Sequence, residues 1–461
     1  MDQFFKPSLI ATAIKNYLSD INRLESHDFD YIKKYRDRVF RNFIKYAYTV
    51  PLYKKKYKDA EIHPDNIRGI DDIEKLPIIR REDLVNNFPA GLIPPDTEKN
   101  TVLINTSGST RNPVSYYMDQ HSGMKPLILY VRELRRYGFR WNKSRISMIA
   151  NFYSQTGPTR YFDSGAIPTL KPFFSLNNFQ LLNADDDLRD MINKIDKFKP
   201  EFIAGFPGPL RHIALLRNKG HGKNINPKCF ISSGGLLDNY VKKYIEETFS
   251  ARVFNLYGAT ESGPISFECE EGNFHINSDF IYLETVDLAG EKLQKGKSGR
   301  LALTRLYGKG TPFIRYTGMG DIIKLKDGIC DCGLETELIE KVHGRIKESI
   351  VLPDKKVIFP DKLADVPGKV MHMLKTEKIN RIQIVQHSLN KIEVLVIMDE
   401  HERYTGASVD KFLNELKTEY EELFGSEVEL EVREVTKLVS EEGREDSTPG
   451  ILSKIDVNKY I

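Results

Sequence analysis

The stretch "LINTSGSTRNPVSYY" runs from Leu103 to Tyr117, and all eight residues from Asn105 to Asn112 are polar or glycine. A short apolar run precedes them. Gly108 lets the backbone take turns closed to other residues. The hydroxyls and amides of Thr106, Ser107, Ser109 and Thr110 can then donate to phosphate oxygens without placing full charge there. No G-x4-G-K-[ST] pattern occurs anywhere in the chain, which counts against a P-loop NTPase. Taken alone, such a stretch is more often a plain polar turn.

A second stretch, "NLYGATESGP" at Asn255–Pro264, changes that weighting. Tyr257 offers an aromatic face, Thr260 a hydroxyl, and Glu261 a carboxylate suited to Mg²⁺ beside phosphates. "ISSGGLL" supplies Ser233, Gly234 and Gly235, whose small size allows close approach of a flat base. "FIRYTGMGD" places Asp321 where a carboxylate can accept both hydroxyls of a ribose, and "HGRIKES" adds Arg345.

The four cysteines divide in their chemistry. Cys269 and His275 stand with five residues between them in "ECEEGNFH", and Cys330 and Cys332 stand in "ICDCG". Three thiolates and an imidazole make a sufficient tetrahedral zinc set, with no position left for water, so such a site is structural. The plainer reading is reduced core cysteines and an exposed histidine. Cys229, in the apolar run "KCFISS", reads as a core residue.

These residues need a scaffold. "YIKKYRDRVFRNFIKYAYTV" spaces Tyr31, Tyr35, Val39, Phe43 and Ala47 by fours, an amphipathic helix, and the "KKKYK" run at Lys54–Lys58 reads as a solvated helix face. From Thr101 to about Thr304 helical and strand patterns alternate: "DLRDMINKIDKF", "EFIAGF", "PLRHIALLRNKG", "KCFISS", "LDNYVKKYIEETF", "RVFNLYG". That alternation argues for parallel sheets covered by helices, with ligands at the carboxyl ends of strands. "TSGST" is expected between a strand and a helix. "GRLALTRL" and "DIIKLKDG" suggest an antiparallel β subdomain. Beyond about Lys347, "RIQIVQHSLNKIEVLVIM" reads as two strands turning near Leu389–Asn390, followed by a helix ending at Gly425 and the strand "EVELEVREV", a small α+β module. The fold class is therefore α/β.

Bulk properties narrow the function. The 461 residues carry a net charge of only +3, with both signs interspersed, which argues against nucleic acid or an anionic membrane as main partner. No apolar run reaches the roughly 18 residues of a membrane span. The N-terminal "MDQFFKPSLIATAIKNYLSD" reads as an amphipathic helix, and four cysteines are no disulfide framework, so a cytoplasmic location is expected.

In this order, the motifs resemble the adenylate-forming superfamily of acyl-CoA synthetases, peptide-synthetase adenylation domains and luciferases. "VPLYKKKYKDAEIHPDNIRGIDDIEKLPIIRREDL", "PFIRYTGMGD" and "CDCGLETELIEKVHGR" are similar to its phenylacetate–CoA ligase, capsule-biosynthesis and coenzyme F390 synthetase-like branch, from about Tyr48 to Lys454. The resemblance implies that Thr106, Ser107, Gly108, Ser109 and Thr110 surround the ATP phosphates. It lays Ser233, Gly234 and Gly235 along adenine, and sets Tyr257, Gly258, Ala259 and Thr260 at adenine and α-phosphate. Glu261 would bind Mg²⁺, and Asp321 with Arg345 the ribose. It also implies an adenylation core at 1–346 and a mobile C-terminal domain at 347–461, hinged at Lys347. Lys454, with Lys459 as fallback, matches the family's mobile catalytic lysine, and some members of the branch carry a structural zinc at a matching cluster. Relatives usually have glycine where Arg111 stands, many have a lysine near Val114 or Ser115, and Leu236 stands where they have an acid.

The expected function is ATP-dependent ligation of a carboxylic acid to CoA through an acyl-adenylate. Phe152, Tyr153, Phe206 and Pro207 are the candidate pocket for an aryl or apolar acid. Two alternatives stay open: adenylyl or acyl transfer to a hydroxyl or amine, and a nucleotide-binding protein without catalysis. The resemblance allows a homodimer.

Overall fold

The computed structural model describes residues 7–98, 101–106, 114–151, 176–440 and 449–461. They divide into two compact units. The first takes the chain through Gly235, Phe249–Met319 and Lys324–Glu340; the second takes Leu236–Thr248, Gly320–Ile323 and Lys341–Ile461.

An eleven-stranded sheet is the main scaffold. Five of its strands are parallel, in the order Phe179–Asn183, Ile146–Ala150, Phe202–Gly205, Cys229–Ser233 and Arg252–Ala259. Their runs are apolar because both faces are covered, as in Cys229–Ser233, where the first four residues are all buried. Helix Leu188–Phe198 links Phe179–Asn183 to Phe202–Gly205 across the intervening Ile146–Ala150, and Pro207–Asn218 links the neighbours Phe202–Gly205 and Cys229–Ser233. The first buries Met191, Ile192 and Ile195, the face the sequence indicated. Arg252–Ala259 is the switch strand: parallel to Cys229–Ser233 on one side, it pairs antiparallel with Gly263–Glu268 on the other. The antiparallel half thus continues the same sheet.

One expectation changes. "TSGST" does not lead into a helix. Thr101–Asn105 and Ser115–Asp119 form a two-stranded antiparallel ladder, and the polar stretch lies between them. The reason is local: "VSYYMD" alternates buried and half-exposed residues, with Tyr116 and Met118 inward, a period of two. The helix begins only at Gln120. A second refinement concerns helix Phe29–Ala47, which buries Ile32, Arg36, Phe40, Phe43, Ile44 and Ala47, while Tyr31 faces solvent.

In the second unit, Ile379–Ser388 and Lys391–Met398 form a hairpin turning at Leu389–Asn390. Glu429–Glu434 joins one side in parallel and Ile451–Ser453 the other. Helices Pro360–Met373 and Val409–Phe424 cover this sheet through Leu363, Val370, Phe412, Leu416 and Tyr420. The latter helix ends at Gly425, whose φ of 83° suits glycine.

The first unit also buries a network of charges. The Arg132 guanidinium forks onto Asp279 at 2.9 and 3.0 Å and donates to Asn277 Oδ1 at 2.6 Å. Arg23 donates to Asp279 and to Asp20, which also accepts from Lys125. Asn277 donates to Glu133 at 2.7 Å. Burial pushes the Glu133 carboxyl up to about 8, against the opposing pull of that hydrogen bond and of Arg132. The raised value means the folded state keeps a proton that the unfolded chain releases near pH 4.3. Stability is therefore full below that pH and falls as pH rises towards 8, by an amount on the order of 5 kcal/mol. Glu133→Gln, uncharged throughout, should melt with the parent at pH 5 and clearly above it at pH 8.5 in thermal scans; a pH-independent difference would contradict the assignment.

Candidate functional site

The chemistry-bearing turn is a three-residue hairpin. Ala259 pairs with Gly263, so Thr260, Glu261 and Ser262 form the loop at the end of the switch strand. Gly263 has φ +65°, the left-handed position that closes such loops. A Cβ on Gly258 would lie 2.9 Å from the Gly263 carbonyl oxygen. Both glycines of "YGATESG" are thus required by the backbone.

Three buried side chains grip this loop through three successive carbonyls. The Tyr116 hydroxyl donates to Thr260 O at 2.5 Å, Arg305 Nη1 to Glu261 O at 2.7 Å, and the Tyr307 hydroxyl to Ser262 O at 2.7 Å. Arg305 is 1% exposed; its other arm donates to Thr311 O at 2.8 Å, and its guanidinium lies over the Tyr307 and Phe313 rings. Burial raises both phenols, Tyr307 to about 12, so both stay protonated donors. Glu261 itself is buried. The turn that presents it is fixed from beneath, while a positive charge lies one bond away from its backbone.

Tyr116 also belongs to the hairpin that carries the candidate phosphate loop. At that hairpin's mouth the Thr106 amide donates to Val114 O at 2.9 Å, and the Val114 amide to Thr106 Oγ1 at 3.0 Å. Ser115 Oγ donates to Asn105 Oδ1 at 2.7 Å. The candidate loop therefore springs from a closed base two residues from the tyrosine that holds the Thr260 turn. Ser107, Gly108, Ser109, Thr110 and Arg111 lie outside the described residues. Val114 is core.

Parallel register brings further motifs to the same sheet edge. Gly205 is level with Ser232, and Ser233 with Leu256, so Phe206–Pro207, Ser233–Gly235 and Tyr257–Glu261 all leave the strands at their carboxyl ends. Gly234 has φ +77°, and a Cβ there would sit 2.5 Å from the Phe206 ring. Gly235 faces Pro207 in the same way, at 3.2 Å. The pocket candidates and the adenine candidates thus touch. Phe152 and Tyr153 follow the carboxyl end of Ile146–Ala150 in sequence and lie outside the described residues.

The second unit holds the other candidates. The Ile346 amide donates to Gly320 O at 2.8 Å, joining the start of strand Asp321–Lys326 to the end of Leu338–Arg345. Burial raises the Glu348 carboxyl; Arg345 and Lys347 oppose that shift, and Asp321 adds to it. Asp321, Arg345 and Lys347 thus share one electrostatic cluster. Lys454 is exposed, directly after strand Ile451–Ser453, and Lys459 is exposed in the short turn Val457–Lys459.

The sulfur residues converge in the first unit. Leu338 pairs with His275, which brings the turn holding Cys330 and Cys332 beside the Cys269 loop. Cys269 Sγ lies 3.6 Å from Cys330 Sγ, and Cys332 Sγ 3.2 Å from His275 Nε2; all four ligand atoms lie within 4.8 Å of one another. Zinc bonded at about 2.3 Å would set tetrahedral sulfurs about 3.8 Å apart, so the donor set fits. Thr336 Oγ1 contacts His275 Nδ1 at 2.9 Å, which leaves Nε2 for the cluster, and Asn273 donates to Cys330 Sγ at 3.3 Å. Burial, aided by Arg136, pushes His275 down to about 4, and burial pushes Cys332 up to about 12. Cys229 is a buried free thiol away from this group.

Sequence reasoning missed Tyr116, Arg305, Tyr307 and Thr336. Arg305 alone left a signal, a cation at an inward position of the alternating strand "GRLALTR".

No family model matches. The chain is 23% identical to phenylacetate-coenzyme A ligase of Pseudomonas putida, over 82% of this chain and 84% of that one. It is 24% identical to the enzyme of that name from Thermus thermophilus, over 76% and 79%. It is 21% identical to protein CapK of Staphylococcus aureus, over 96% and 92%. Among solved structures, 2-hydroxyisobutyryl-CoA ligase in its postadenylation state with 2-HIB-AMP superposes with a TM-score of 0.75 at 19% identity, covering 95% and 92% of the two chains. Anthranilate CoA ligase AuaEII with anthranoyl-AMP gives 0.51 at 13% identity, covering 76% and 66%. At these identities the structural likeness shows the fold, that of acyl-CoA ligases, and in sequence the chain is similar over most of its length to phenylacetate–CoA ligases and to CapK.

Proposed function

We propose that this chain is an ATP-dependent acid–thiol ligase that activates a carboxylic acid as its acyl-adenylate and passes the acyl group to CoA. One observation carries the reading: the Thr260–Glu261 turn is clasped at the carboxyl edge of the parallel strands and tied by Tyr116 to the base of the phosphate-loop hairpin. Attack of a carboxylate oxygen on the α-phosphorus joins two anions, and the bond to pyrophosphate breaks. The barrier is largely electrostatic. Thr106–Arg111 would surround the phosphates, and Thr260 would face the α-phosphate. Glu261 would hold Mg²⁺, whose charge offsets that of the phosphates. Ser233, Gly234 and Gly235 would flank adenine, and Asp321 with Arg345 would hold the ribose. Lys454 would enter for adenylation and leave for thiol attack on the acyl carbon, which expels AMP, with residues 347–461 turning at Lys347.

Phe206 and Pro207, packed on the glycine pair, support an aryl or apolar acid, with Phe152 and Tyr153 completing the pocket. Cys269, His275, Cys330 and Cys332 would hold a structural zinc ion, with every tetrahedral position filled by protein.

The test is to supply ATP, Mg²⁺, CoA and a panel of aryl and aliphatic acids, then follow AMP and CoA esters by mass spectrometry. Acid-dependent AMP with an equal amount of thioester is expected. An ester or amide in place of the thioester would move the acceptor to a hydroxyl or amine, and ADP in place of AMP would overturn the reading.

A further inference from the structure

Gln386 is fully buried on the central strand Ile379–Ser388, and its carboxamide is used at both ends. Nε2 donates to Val351 O at 2.5 Å, while Oε1 accepts from the Val351 amide at 3.2 Å and from Ser453 Oγ at 2.9 Å. Its own carbonyl accepts the Lys454 amide at 2.9 Å. A buried amide is costly unless its hydrogen bonds are made, and an apolar side chain would fill this strand position more cheaply. The tail strand pairs with the sheet at only three positions, the last being Gln386 with Ser453. Lys454 is the first residue beyond that pairing. The Ser453 hydroxyl also accepts the Ile455 amide at 3.1 Å, so one side-chain cluster fixes the backbone on both sides of Lys454. Beyond it, Val457, with Ile455 packed alongside, belongs to an apolar cluster with Ile346 and Val351.

We infer that Gln386 is a positioning residue for Lys454, holding the tail lysine in register with the strand Ile350–Val351 that follows the hinge segment. The inference rests on the proposed adenylation role of Lys454. A carboxamide is the group required, because Val351 presents both a donor and an acceptor. Loosening the turn would let the ammonium drift from its aim, and misplacement of about 1 Å costs on the order of 10²-fold in rate.

The two half-reactions separate this role from a general one. In the full chain, adenylation is read as pyrophosphate exchange with phenylacetate, or with whichever panel acid supports exchange in the parent. Thioester formation is read as AMP release from the synthetic acyl-adenylate and CoA. Gln386→Leu should lower exchange roughly 10²-fold and leave AMP release within about threefold of the parent. Ser453→Ala should lower exchange in the same direction by less, and serves if Gln386→Leu folds poorly in circular dichroism. Lys454→Ala should abolish exchange. If Lys454→Ala loses exchange while Gln386→Leu keeps it, or if the Gln386 and Ser453 variants lower both half-reactions alike, the positioning role is wrong. If Lys454→Ala keeps exchange, the lysine assignment itself falls and takes this inference with it.

Discussion

Glu261→Gln is expected to slow acyl-adenylate formation by about 10²- to 10³-fold, the effect of removing one well-placed electrostatic group from a water-poor site. Glutamine keeps the shape and burial of the side chain. The backbone grip on the loop does not involve the carboxylate, since Tyr116, Arg305 and Tyr307 hold carbonyls. The variant should therefore fold as the parent does, and the loss should report charge alone. A second signature follows: the Mg²⁺ concentration for half-maximal rate should rise, because a neutral amide is a poor ligand for a hard cation. Initial rates measured across a magnesium series test both. An unchanged rate and magnesium dependence would remove Glu261 from the metal site.

The second large effect is on stability. Cys330→Ser, or prolonged chelation, should lower the melting temperature by about 10 °C or more and release about one zinc per chain. Cys269 and His275 are fully buried and Cys330 nearly so, and they come from two segments distant in sequence. A bound ion would cross-link those segments in the folded state and not in the unfolded one, so its binding energy adds to stability. Two further observations make the cluster more than a chance meeting of thiols: Thr336 orients the imidazole, and Asn273 donates to a sulfur. Elemental analysis of protein purified without added zinc, followed by thermal melts, is the check. Protein without stoichiometric zinc, whose Cys330→Ser form melts with the parent, would contradict the site.

Much of the scaffold was readable because its signals are local. "KCFISS" and "EFIAGF" are short apolar runs, and they became neighbouring parallel strands. "DLRDMINKIDKF" carried a clean helical face, and the hairpin near Leu389–Asn390 was marked by its turn residues. The candidate site shows in the sequence as motifs, without the side chains that support them. The grip on the Thr260–Ser262 loop comes from Tyr116, Arg305 and Tyr307, residues 144, 44 and 45 positions away, and no pattern along the chain connects them. The hairpin under the candidate phosphate loop escapes sequence reading for a related reason. "VSYYMD" is too short to announce its period, and the true helix starts just beyond it. Arg305 teaches the sharpest lesson. A cation at an inward strand position is costly without partners, and here its partners are backbone carbonyls that sequence cannot display.

Radiolabelled pyrophosphate exchange into ATP, run with and without each acid of a carboxylate panel and without CoA, bears most directly on acyl-adenylate chemistry at the Thr260–Glu261 turn. Exchange should appear only with a matching acid, most strongly with aryl or apolar ones, should fall by about 10²- to 10³-fold in Glu261→Gln, and should vanish in Lys454→Ala. Exchange without any acid, or exchange that survives both substitutions, would contradict it.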